Sequence, residues 1–391
     1  MIVPNKGQSE CLKKIKKWHK SYTKQSFVFT GPAGTGKTSI VPMCIDEMGL
    51  YPHEVLFVAF TGKAASILMM KGFDAYTIHS AFFEMAEVPK IYDNNIVYKN
   101  GRMVKKLEFI KKHFIDPSIK LIWIEECGMV NKELADVIYS FDLPVVASGD
   151  NYQLPPVFGE SPFFLDIDHQ LWEITRQAEG NGIILLATRI REGKELRNYM
   201  NFNRDAYILS KKYLKKRHLL DADMVLTVKN STRNVFNNKM RELKGSYGPL
   251  PNVGDRLVCR RNNRTMSLEG IPLTNGTIGK VVNPISRSDC NLKNGIYRID
   301  FQPDYIDGYS YYESMPCDYN FLKEPCGNKT VDKYNFGMKM EYAEAISVHL
   351  SQGSQYPNIT YWDEWVGDKE YMKKVRYTAV TRAINKAFMF V

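Results

Sequence analysis

The segment GPAGTGKT (31–38) has the residue types and spacing of a loop that binds phosphate. It fits the pattern G-x-x-x-x-G-K-[ST], directly after the apolar run SFVFT (26–30) and directly before a helix-compatible stretch. Its glycines let backbone N–H groups curl around phosphate oxygens at a helix N-terminus, where the helix dipole favours negative charge. Lys37 would neutralise the phosphates and Thr38 would hold Mg²⁺. The pattern therefore predicts a nucleotide site.

Such a loop works with carboxylates at the end of a neighbouring strand. The run LIWIEE (121–126) supplies two, Glu125 for the shell of the magnesium ion and Glu126 to orient the attacking water. A second apolar strand ends in SGDNYQLPPV (148–157), where Gln153 can bond a γ-phosphate or a water without adding charge. These residues are typical of ATP hydrolysis.

The elements that must position these residues alternate between strand and helix. Continuous apolar runs predict strands of a parallel sheet buried on both faces: SFVFT, VLFVAF (55–60), LIWIEE and PVVASG (144–149). A second alternating region comprises the helix GNGIILLATRIREG (180–193), the strand MVLTV (224–228), the strand AISVHL (345–350), a helix over KKVRYTAVTRAI (373–384) and the strand AFMFV (387–391). We therefore expect an α/β protein with two parallel-sheet cores.

Two insertions lack the alternation of strand and helix and are instead rich in turn signals. Residues 250–334 carry repeated turn signals between short strand-like runs, which predicts a small antiparallel β-barrel inside the second core. Residues 84–118 contain IYDNNIVYKNG, whose Asn and Gly turn signals predict a hairpin in the first core.

Composition and charge narrow the class of protein. The chain has 391 residues, of which 44% are hydrophobic, so a lone peptide module and wholesale disorder are excluded. The formal net charge of +10 suits a polyanion such as nucleic acid. The seven cysteines form no CxxC pair, which disfavours a zinc site or a disulfide framework. No signal peptide or membrane span is evident, so we expect a cytoplasmic protein with no membrane contact.

Taken in order along nearly the whole chain, these motifs resemble those of superfamily 1, group B DNA helicases of the RecD/Dda-like family. The residues that carry the resemblance are NKGQ (5–8), GPAGTGKT (31–38), AFTGKAA (59–65), YTIHSAFF (76–83), IEECGMV (124–130), GDNYQLPPV (149–157), EITRQ (173–177), PNVGDRLVCRRNN (251–263) with NGTIG (275–279), AISVHLSQGSQY (345–356) and RYTAVTRA (376–383). A P-loop is shared with many families, whereas GDxxQLPPV, SVHxSQGS and YTAVTRA together are highly specific.

The resemblance implies a domain organisation. It implies two RecA-like cores of the P-loop NTPase class, one over residues 1–165 and the other over 166–249 with 335–391. Residues 250–334 would be an SH3-like barrel, and the 84–118 insertion would be the pin that splits the duplex. ATP with Mg²⁺ would be hydrolysed between the cores, and the protein would be a monomer.

The resemblance also assigns roles to individual residues. For catalysis it implies Lys37, Glu126, Gln153, Arg176 and Arg382. For binding of the nucleotide it implies Gln8, Gly31, Gly34, Gly36, Lys37, Thr38, Ser39, Glu125, Gln352 and Gly353, with Thr38 and Glu125 at the metal. For DNA it implies Thr61, Lys63, Thr77, His79, Phe82, Asn230, Ser347 and His349, with Phe82 or Phe83 stacking on bases.

The function implied is ATP-driven 5′→3′ movement on single-stranded DNA with unwinding of duplex DNA. Its partners would be single-stranded and forked DNA, with replication or recombination proteins, in DNA replication, repair or recombination. Glu125 stands where the family has aspartate. That departure leaves open an ATP-gated nucleic-acid clamp or recruitment module with impaired hydrolysis. A P-loop small-molecule kinase is the third interpretation, although it would have no use for a second core.

Overall fold

The computed structural model describes residues 3–156, 159–175, 179–261, 263–268, 271–285, 290, 295–304, 306, 309–323 and 337–391, apart from residues 90, 93–94, 97, 100–101 and 104. Two units make up the chain. The first contains residues 1–31, 36–151 and 155–173, and the second contains residues 32–35, 152–154 and 174–391. The predicted division of the cores at residues 165 and 166 stays a prediction.

The first unit is built on a parallel sheet with helices on its faces. Its helices are α1 (Lys6–Ser21), α2 (Val41–Met48), α3 (Gly62–Met70), α4 (Ile78–Phe82) and α5 (Lys132–Tyr139). Its strands are β1 (Ser26–Thr30), β2 (Val55–Ala59), β3 (Ala75–Thr77), β4 (Phe83–Pro89), β5 (Ile91–Tyr92), β6 (Asn95–Ile96), β7 (Tyr98–Lys99), β8 (Arg102–Met103), β9 (Lys105–Lys111), β10 (Leu121–Glu125), β11 (Val145–Gly149) and β12 (His169–Gln170).

Among the described residues, six strands form this sheet in the order β12-β1-β11-β10-β2-β3, all parallel. Their apolar side chains are buried on both faces, as the continuous apolar runs predict. Because the strands are parallel, all their carboxyl ends lie at one edge of the sheet. The loops that follow β1, β10, β11, β2 and β3 therefore meet at that edge, and they carry the predicted chemistry.

The insertion in the first unit is a hairpin. Strands β4 and β9 pair antiparallel, from Phe83 opposite Lys111 to Pro89 opposite Lys105. The hairpin predicted within residues 84–118 is therefore confirmed. Part of its far end lies outside the described residues, and its role as a pin stays a prediction.

The second unit contains a second sheet of mainly parallel strands. Its helices are α6 (Gly182–Arg191), α7 (Lys216–Leu220), α8 (Asn230–Leu243), α9 (Tyr319–Lys323) and α10 (Lys369–Val380). Its strands are β13 (Met200–Phe202), β14 (Ala206–Leu209), β15 (Met224–Thr227), β16 (Arg256–Cys259), β17 (Asn263–Leu268), β18 (Ile271–Leu273), β19 (Ile278–Val281), β20 (Ile296–Pro303), β21 (Tyr312–Asp318), β22 (Met340–Tyr342), β23 (Ala345–Ser347), β24 (Tyr356–Trp362) and β25 (Ala383–Phe390). The sheet order is β13-β14-β25-β24-β15-β23, with β13 alone antiparallel among these described strands.

The helix predicted over residues 373–384 is displaced. Helix α10 begins at Lys369 and ends at Val380, and β25 begins at Ala383, so Arg382 lies in the connection and not in a helix. The helix ends there because the Arg382 and Thr381 side chains donate to the Thr378 carbonyl (3.2 and 3.0 Å), satisfying a group that a longer helix would bond. In the described part of the chain, no helix has the length and apolar character to cross a bilayer.

The turn-rich region of the second unit forms a small antiparallel barrel. Its strand order is β21-β20-β19-β16-β22. A bridge between Cys317 and Met338 joins the two edges, with the Met338 N–H donating to the Pro316 carbonyl (2.7 Å). Buried side chains fill the barrel, among them Tyr297, Phe301 and Met315. Antiparallel strands are found where the turn signals predicted them, although β22 lies beyond the predicted end at residue 334, and the likeness to SH3 domains stays a prediction.

Candidate functional site

The phosphate loop begins where β1 ends. The Gly31 N–H donates to the Gly149 carbonyl (3.1 Å), which fixes the start of the loop to β11. Gly34 and Gly36 have φ of 85° and 73°, a left-handed conformation that residues with a Cβ adopt at a cost. The Lys37 ammonium donates to the Gly31 carbonyl (2.6 Å), so the loop closes on itself. This geometry is that of a cradle for phosphate oxygens.

Thr38 and Glu125 lie side by side in the first unit. The Thr38 hydroxyl donates to Oε1 of Glu125 (2.8 Å) at the start of the short 3₁₀ helix Thr38–Ile40, which also contains the exposed Ser39. A hydroxyl and a carboxylate are the hard oxygen ligands that Mg²⁺ prefers, so the two residues fit a magnesium ion. The longer glutamate side chain reaches Thr38.

Glu126 has a strained backbone. It follows β10 with φ 56° and ψ 45°, in the left-handed region. For a residue with a Cβ this conformation costs about 1–2 kcal/mol. Strain of this kind concentrates at functional positions, because the surrounding structure must hold it in place. The position of Glu126 therefore agrees with its predicted role toward the attacking water.

The tip of the phosphate loop belongs to the second unit. There the Ala33 N–H donates to the Tyr377 hydroxyl (2.8 Å), and the Thr175 N–H donates to the Gly34 carbonyl (2.9 Å). Tyr377 lies in the motif RYTAVTRA, which the resemblance had assigned to the nucleotide. The predicted Arg176, next to Thr175, lies outside the described residues.

Gln153 is held in place through its neighbour in the second unit. The Leu154 N–H donates to the Thr378 hydroxyl (2.9 Å), and the Leu154 carbonyl accepts from Nε2 of Gln352 (2.9 Å). Gln352 is buried, and Gly353 lies beside it in the turn after β23. Gln352 is thus placed to fix the loop that carries Gln153.

Arg382 is a buried cation. Its guanidinium donates to the carbonyls of Thr378 and Ser354 (both 3.2 Å) and to the Thr381 hydroxyl (3.3 Å), and 4% of the residue is exposed. All three of these acceptors are neutral groups. A buried charge is costly without an opposite charge, so an anionic ligand would complete this site.

Gln8 takes part in a helix cap. Its side-chain oxygen accepts from the Asn5 N–H (3.0 Å), and the Asn5 side chain accepts from the Gln8 N–H (2.8 Å). This capping box starts α1 and buries Gln8. The segment NKGQ therefore has a structural role, and the reading of an adenine base by Gln8 stays a prediction.

Thr61 and Thr77 mark the part of the same sheet edge that is predicted to contact DNA. Ala59 on β2 pairs with Thr77 on β3, so Thr77 ends one strand and Thr61 follows the end of its neighbour. Thr61 accepts from the Ala64 N–H (3.2 Å) and Thr77 from the Ser80 N–H (3.1 Å). A capping hydroxyl such as that of Thr61 keeps its proton to donate, for example to a phosphate, whereas the Thr77 hydroxyl also lies 2.9 Å from the Ser80 hydroxyl. Lys63 is the second residue of α3, and its side chain lies outside the described ones.

One predicted DNA contact is wrong. Phe82 is 0% exposed and packs against Phe141 with ring centroids 5.2 Å apart, so it cannot stack on a base. Phe83 instead stacks on His79 (5.5 Å), and Phe109, 42% exposed, meets the same imidazole edge-on (5.9 Å). This aromatic cluster at the base of the hairpin could stack on bases.

The predicted DNA residues of the second unit also lie at strand ends. Thr227 on β15 pairs with Ser347 on β23, and Asn230 is exposed at the start of α8. Nε2 of His349 lies 2.9 Å from the Tyr371 hydroxyl. Burial lowers the pKa of His349, so the imidazole is neutral at pH 7 and meets a phosphate only as a hydrogen-bond partner.

Sequence reasoning missed residues that act on the predicted ones. Trp123 and Ser148 both donate to Oε2 of Glu125, and Tyr377 binds the phosphate loop. The sequence offers one weak indication of Ser148, because its hydroxyl stands within the otherwise apolar run PVVASG. Phe109 gives no such signal, because it lies among lysines and apolar residues in KKLEFIKK (105–112), outside every recognised motif.

The AAA domain family AAA_30 matches residues 4–210, more than half of the chain. The chain belongs to this AAA_30 family. The match covers the phosphate loop, Glu125, Glu126 and Gln153.

Known proteins similar to this AAA_30 chain include helicases. It is 29% identical over 183 residues to the protein of Enterobacteria phage T4 named ATP-dependent DNA helicase dda, which covers 44% of the chain and 39% of that protein. It is 25% identical over 438 residues to an uncharacterised protein of Methanocaldococcus jannaschii, covering 93% of the chain and 36% of that protein. The chain therefore spans less than two-fifths of the length of each of these curated relatives.

Among solved structures, Bacteroides Pif1 bound to single-stranded DNA has a similar fold, with a TM-score of 0.55, 15% identity and coverage of 100% of this chain and 93% of that chain. These comparisons confirm the resemblance to RecD/Dda-like helicases and the two RecA-like cores. The assignment of individual residues to nucleotide and DNA stays a prediction.

Proposed function

We propose that this chain is an ATP-dependent DNA helicase that moves 5′→3′ on single-stranded DNA and unwinds forked duplex DNA. Membership in the AAA_30 family, the likeness to the T4 helicase and the Pif1 fold support the activity. The direction rests on the resemblance of the motifs. Replication or recombination proteins as partners, a monomeric state and a cytoplasmic location belong to the same proposal.

The observation that carries the proposal is the sheet edge of the first unit. The phosphate loop follows β1 and Thr61 follows β2, while Glu125 and Thr77 are the last residues of β10 and β3. The residues predicted to contact nucleotide and those predicted to contact DNA thus lie at neighbouring strand ends, and Glu125 pairs with Ala59, two residues before Thr61. A shift of Glu125 would thus pass through the strand pairing to Ala59 and two residues of backbone to Thr61, which is the connection that a translocase would use.

The chain's own residues account for binding and hydrolysis as follows. Backbone N–H groups of the loop and the Lys37 ammonium would hold the phosphates, and Gln153 with Glu126 would orient the attacking water. Thr38 and Glu125 would hold Mg²⁺, which when bound neutralises charge on the phosphate oxygens. The buried Arg382 would supply the cation that stabilises charge developing on the γ-phosphate.

DNA would be held without selection by sequence. Thr61, Lys63, Thr77, Asn230 and Ser347 are small polar or basic groups, which reach phosphates and carry no base preference. Phe109, Phe83 and His79 would stack on bases, which is tolerant of sequence because each base has a π-face. The net charge of +10 adds attraction that falls with salt.

Stimulation of ATP hydrolysis by single-stranded DNA tests this proposal. We expect DNA to raise the hydrolysis rate of the wild type, and Lys37→Ala to remove hydrolysis with and without DNA. Lys71→Ala is a matched control, since Lys71 is an exposed residue that caps the end of α3 away from the loop. Phosphoryl transfer to a small molecule without a DNA effect would indicate a kinase instead.

An ATP-gated clamp would give a different result. It would bind DNA more tightly with ATP than without, and it would hydrolyse no ATP under either condition. The hydrogen bond between Thr38 and Glu125 argues against that outcome, because the glutamate that raised this alternative reaches the metal side of the loop.

A further inference from the structure

The Glu125 carboxylate accepts hydrogen bonds at Oε2, the oxygen that does not contact Thr38. In β10 the side chains of Trp123 and Glu125 point to the same face, because they are two residues apart. The pairing of Ile124 with Ala147 places Ser148 of β11 next to Glu125 on that face. Ser148 donates a hydrogen bond to Oε2 of Glu125, and the Trp123 indole N–H donates to the same oxygen (3.4 Å).

Both donors come from the interior of the first unit. Trp123 is 0% exposed and Ser148 is 1% exposed. Trp123 packs edge-on against Phe29, with ring centroids 5.9 Å apart, and so cannot turn to another acceptor without moving the core. Buried donors require an acceptor, so these two hold Oε2 firmly. The other oxygen, Oε1, is thereby presented to the Thr38 hydroxyl at 2.8 Å.

The length of the side chain at position 125 matters for this arrangement. An aspartate is shorter by one C–C bond, about 1.5 Å. A hydrogen bond of 2.8 Å that lengthens by that amount is lost. An aspartate therefore cannot reach Thr38 and keep the bonds to Ser148 and Trp123 at the same time. The glutamate is the residue that spans both sets of partners.

We propose that Ser148 and Trp123 are positioning residues for the metal ligand Glu125, and that they make glutamate, not aspartate, the residue this chain requires there. This deepens the proposed function and rests only on its nucleotide–metal part. Neither Ser148 nor Trp123 is proposed to contact the nucleotide. They act by fixing one carboxylate oxygen so that the other stands beside Thr38.

Binding of Mn²⁺ in the presence of ADP, without DNA, tests the proposal. Mn²⁺ replaces Mg²⁺ because the free ion is measured directly by electron paramagnetic resonance. Removal of a side chain that hydrogen-bonds a metal ligand lowers metal affinity by about 10-fold to 100-fold. We expect a decrease of this size in Mn²⁺ affinity in Ser148→Ala. ADP affinity without metal should stay unchanged, since a merely structural defect would lower both. Ser66→Ala is the matched control, because Ser66 is buried in the same unit but donates to the Gly62 carbonyl (2.9 Å).

Combination with Glu125→Asp shows whether Ser148 acts through the carboxylate. We expect Glu125→Asp alone to bind Mn²⁺ more weakly than the wild type. Adding Ser148→Ala to it should then lower the affinity by less than threefold, because the shorter side chain no longer spans both partners. Trp123→Phe, which keeps an aromatic ring and removes the N–H, should weaken Mn²⁺ in the same direction.

Three results would overturn the proposal: wild-type affinity in folded Ser148→Ala, equal or tighter binding in Glu125→Asp, or fully additive losses in the double variant. The helicase proposal is tested by a different measurement, the unwinding of DNA, so its failure can be distinguished from failure of the positioning role. A wild type that binds Mn²⁺ with ADP and shows the expected losses, yet unwinds no DNA, would leave the positioning role standing.

Discussion

Replacement of Arg382 by alanine separates a catalytic from a structural role for this buried cation. Its three nitrogens bond the Thr378 and Ser354 carbonyls and the Thr381 hydroxyl. Loss of such a buried network costs about 3 kcal/mol of folding stability. A domain of about 5 kcal/mol stability would retain about 2 kcal/mol and remain about 97% folded. A purely structural arginine would therefore leave the rate per molecule nearly unchanged.

A catalytic arginine predicts a far larger loss. A guanidinium that stabilises charge on the transferred phosphate is worth about 10³-fold or more in rate, which is about 4 kcal/mol of barrier. We expect Arg382→Ala to lower the kcat of DNA-stimulated ATP hydrolysis by about that factor while ADP still binds. Arg382→Lys should also stay well below the wild type, because an ammonium cannot reproduce the planar fork.

Arg376→Ala is the matched control for this prediction. Arg376 lies in α10 and makes bonds of 2.7 and 3.1 Å to Asp363, so its loss removes an arginine with purely structural partners. We expect it to lower the urea midpoint and to keep kcat within about threefold of the wild type. An Arg382→Ala protein that is folded by circular dichroism and keeps kcat within tenfold would refute the catalytic assignment.

Further predictions concern DNA contacts and pH. Phe109→Ala should weaken single-stranded DNA by about 5-fold to 100-fold in fluorescence anisotropy, whereas Phe82→Ala should cost about 3–5 kcal/mol in urea unfolding and leave the DNA affinity of folded molecules unchanged. The reverse pattern would restore Phe82 as the stacking residue. Lys63→Ala should lower the slope of log affinity against log salt by about 0.7, as loss of one phosphate contact on a single strand does, and an unchanged slope would remove Lys63 from the DNA surface. Burial, and then Arg217 and Lys215, lower the pKa of His218, whose Nδ1 accepts from the Lys215 N–H (3.0 Å). Below about pH 6.5 the unfolded chain takes up a proton that the folded chain resists, so the free energy of unfolding should fall as pH falls, by at most about 1.4 kcal/mol per unit. His218→Gln, which keeps a capping acceptor and does not titrate, should show a smaller fall, and an identical pH profile would contradict this cause.

The strands that carry the nucleotide chemistry could be predicted because they are buried on both faces. Such strands are continuous apolar runs, and SFVFT and LIWIEE become β1 and β10 with bounds close to the predicted ones. Strand β24 was missed, since Pro357 and Asn358 interrupt its pattern. The structure overrides that local preference by pairing β24 with β15 and β25 on both sides.

Site residues could be predicted where a single sequence motif contains them. Contacts between residues that are distant in the sequence could not be predicted. The sequence shows two adjacent phenylalanines, but only the change from helix to strand between Phe82 and Phe83 decides which ring is buried. The hydrogen bond from Ser148 to Glu125 depends on the register of β10 against β11. Register follows from pairing in the folded sheet, so no local pattern encodes it.

Strand displacement on forked duplexes with a single 5′ or 3′ tail tests the central claim most directly. We predict that the wild type displaces the strand from the 5′-tailed fork when ATP and Mg²⁺ are present, and that Lys37→Ala or a non-hydrolysable ATP analogue abolishes this displacement. Binding of the same fork by the wild type without displacement under any of these conditions, despite intact ATP binding, would contradict the assignment as a helicase.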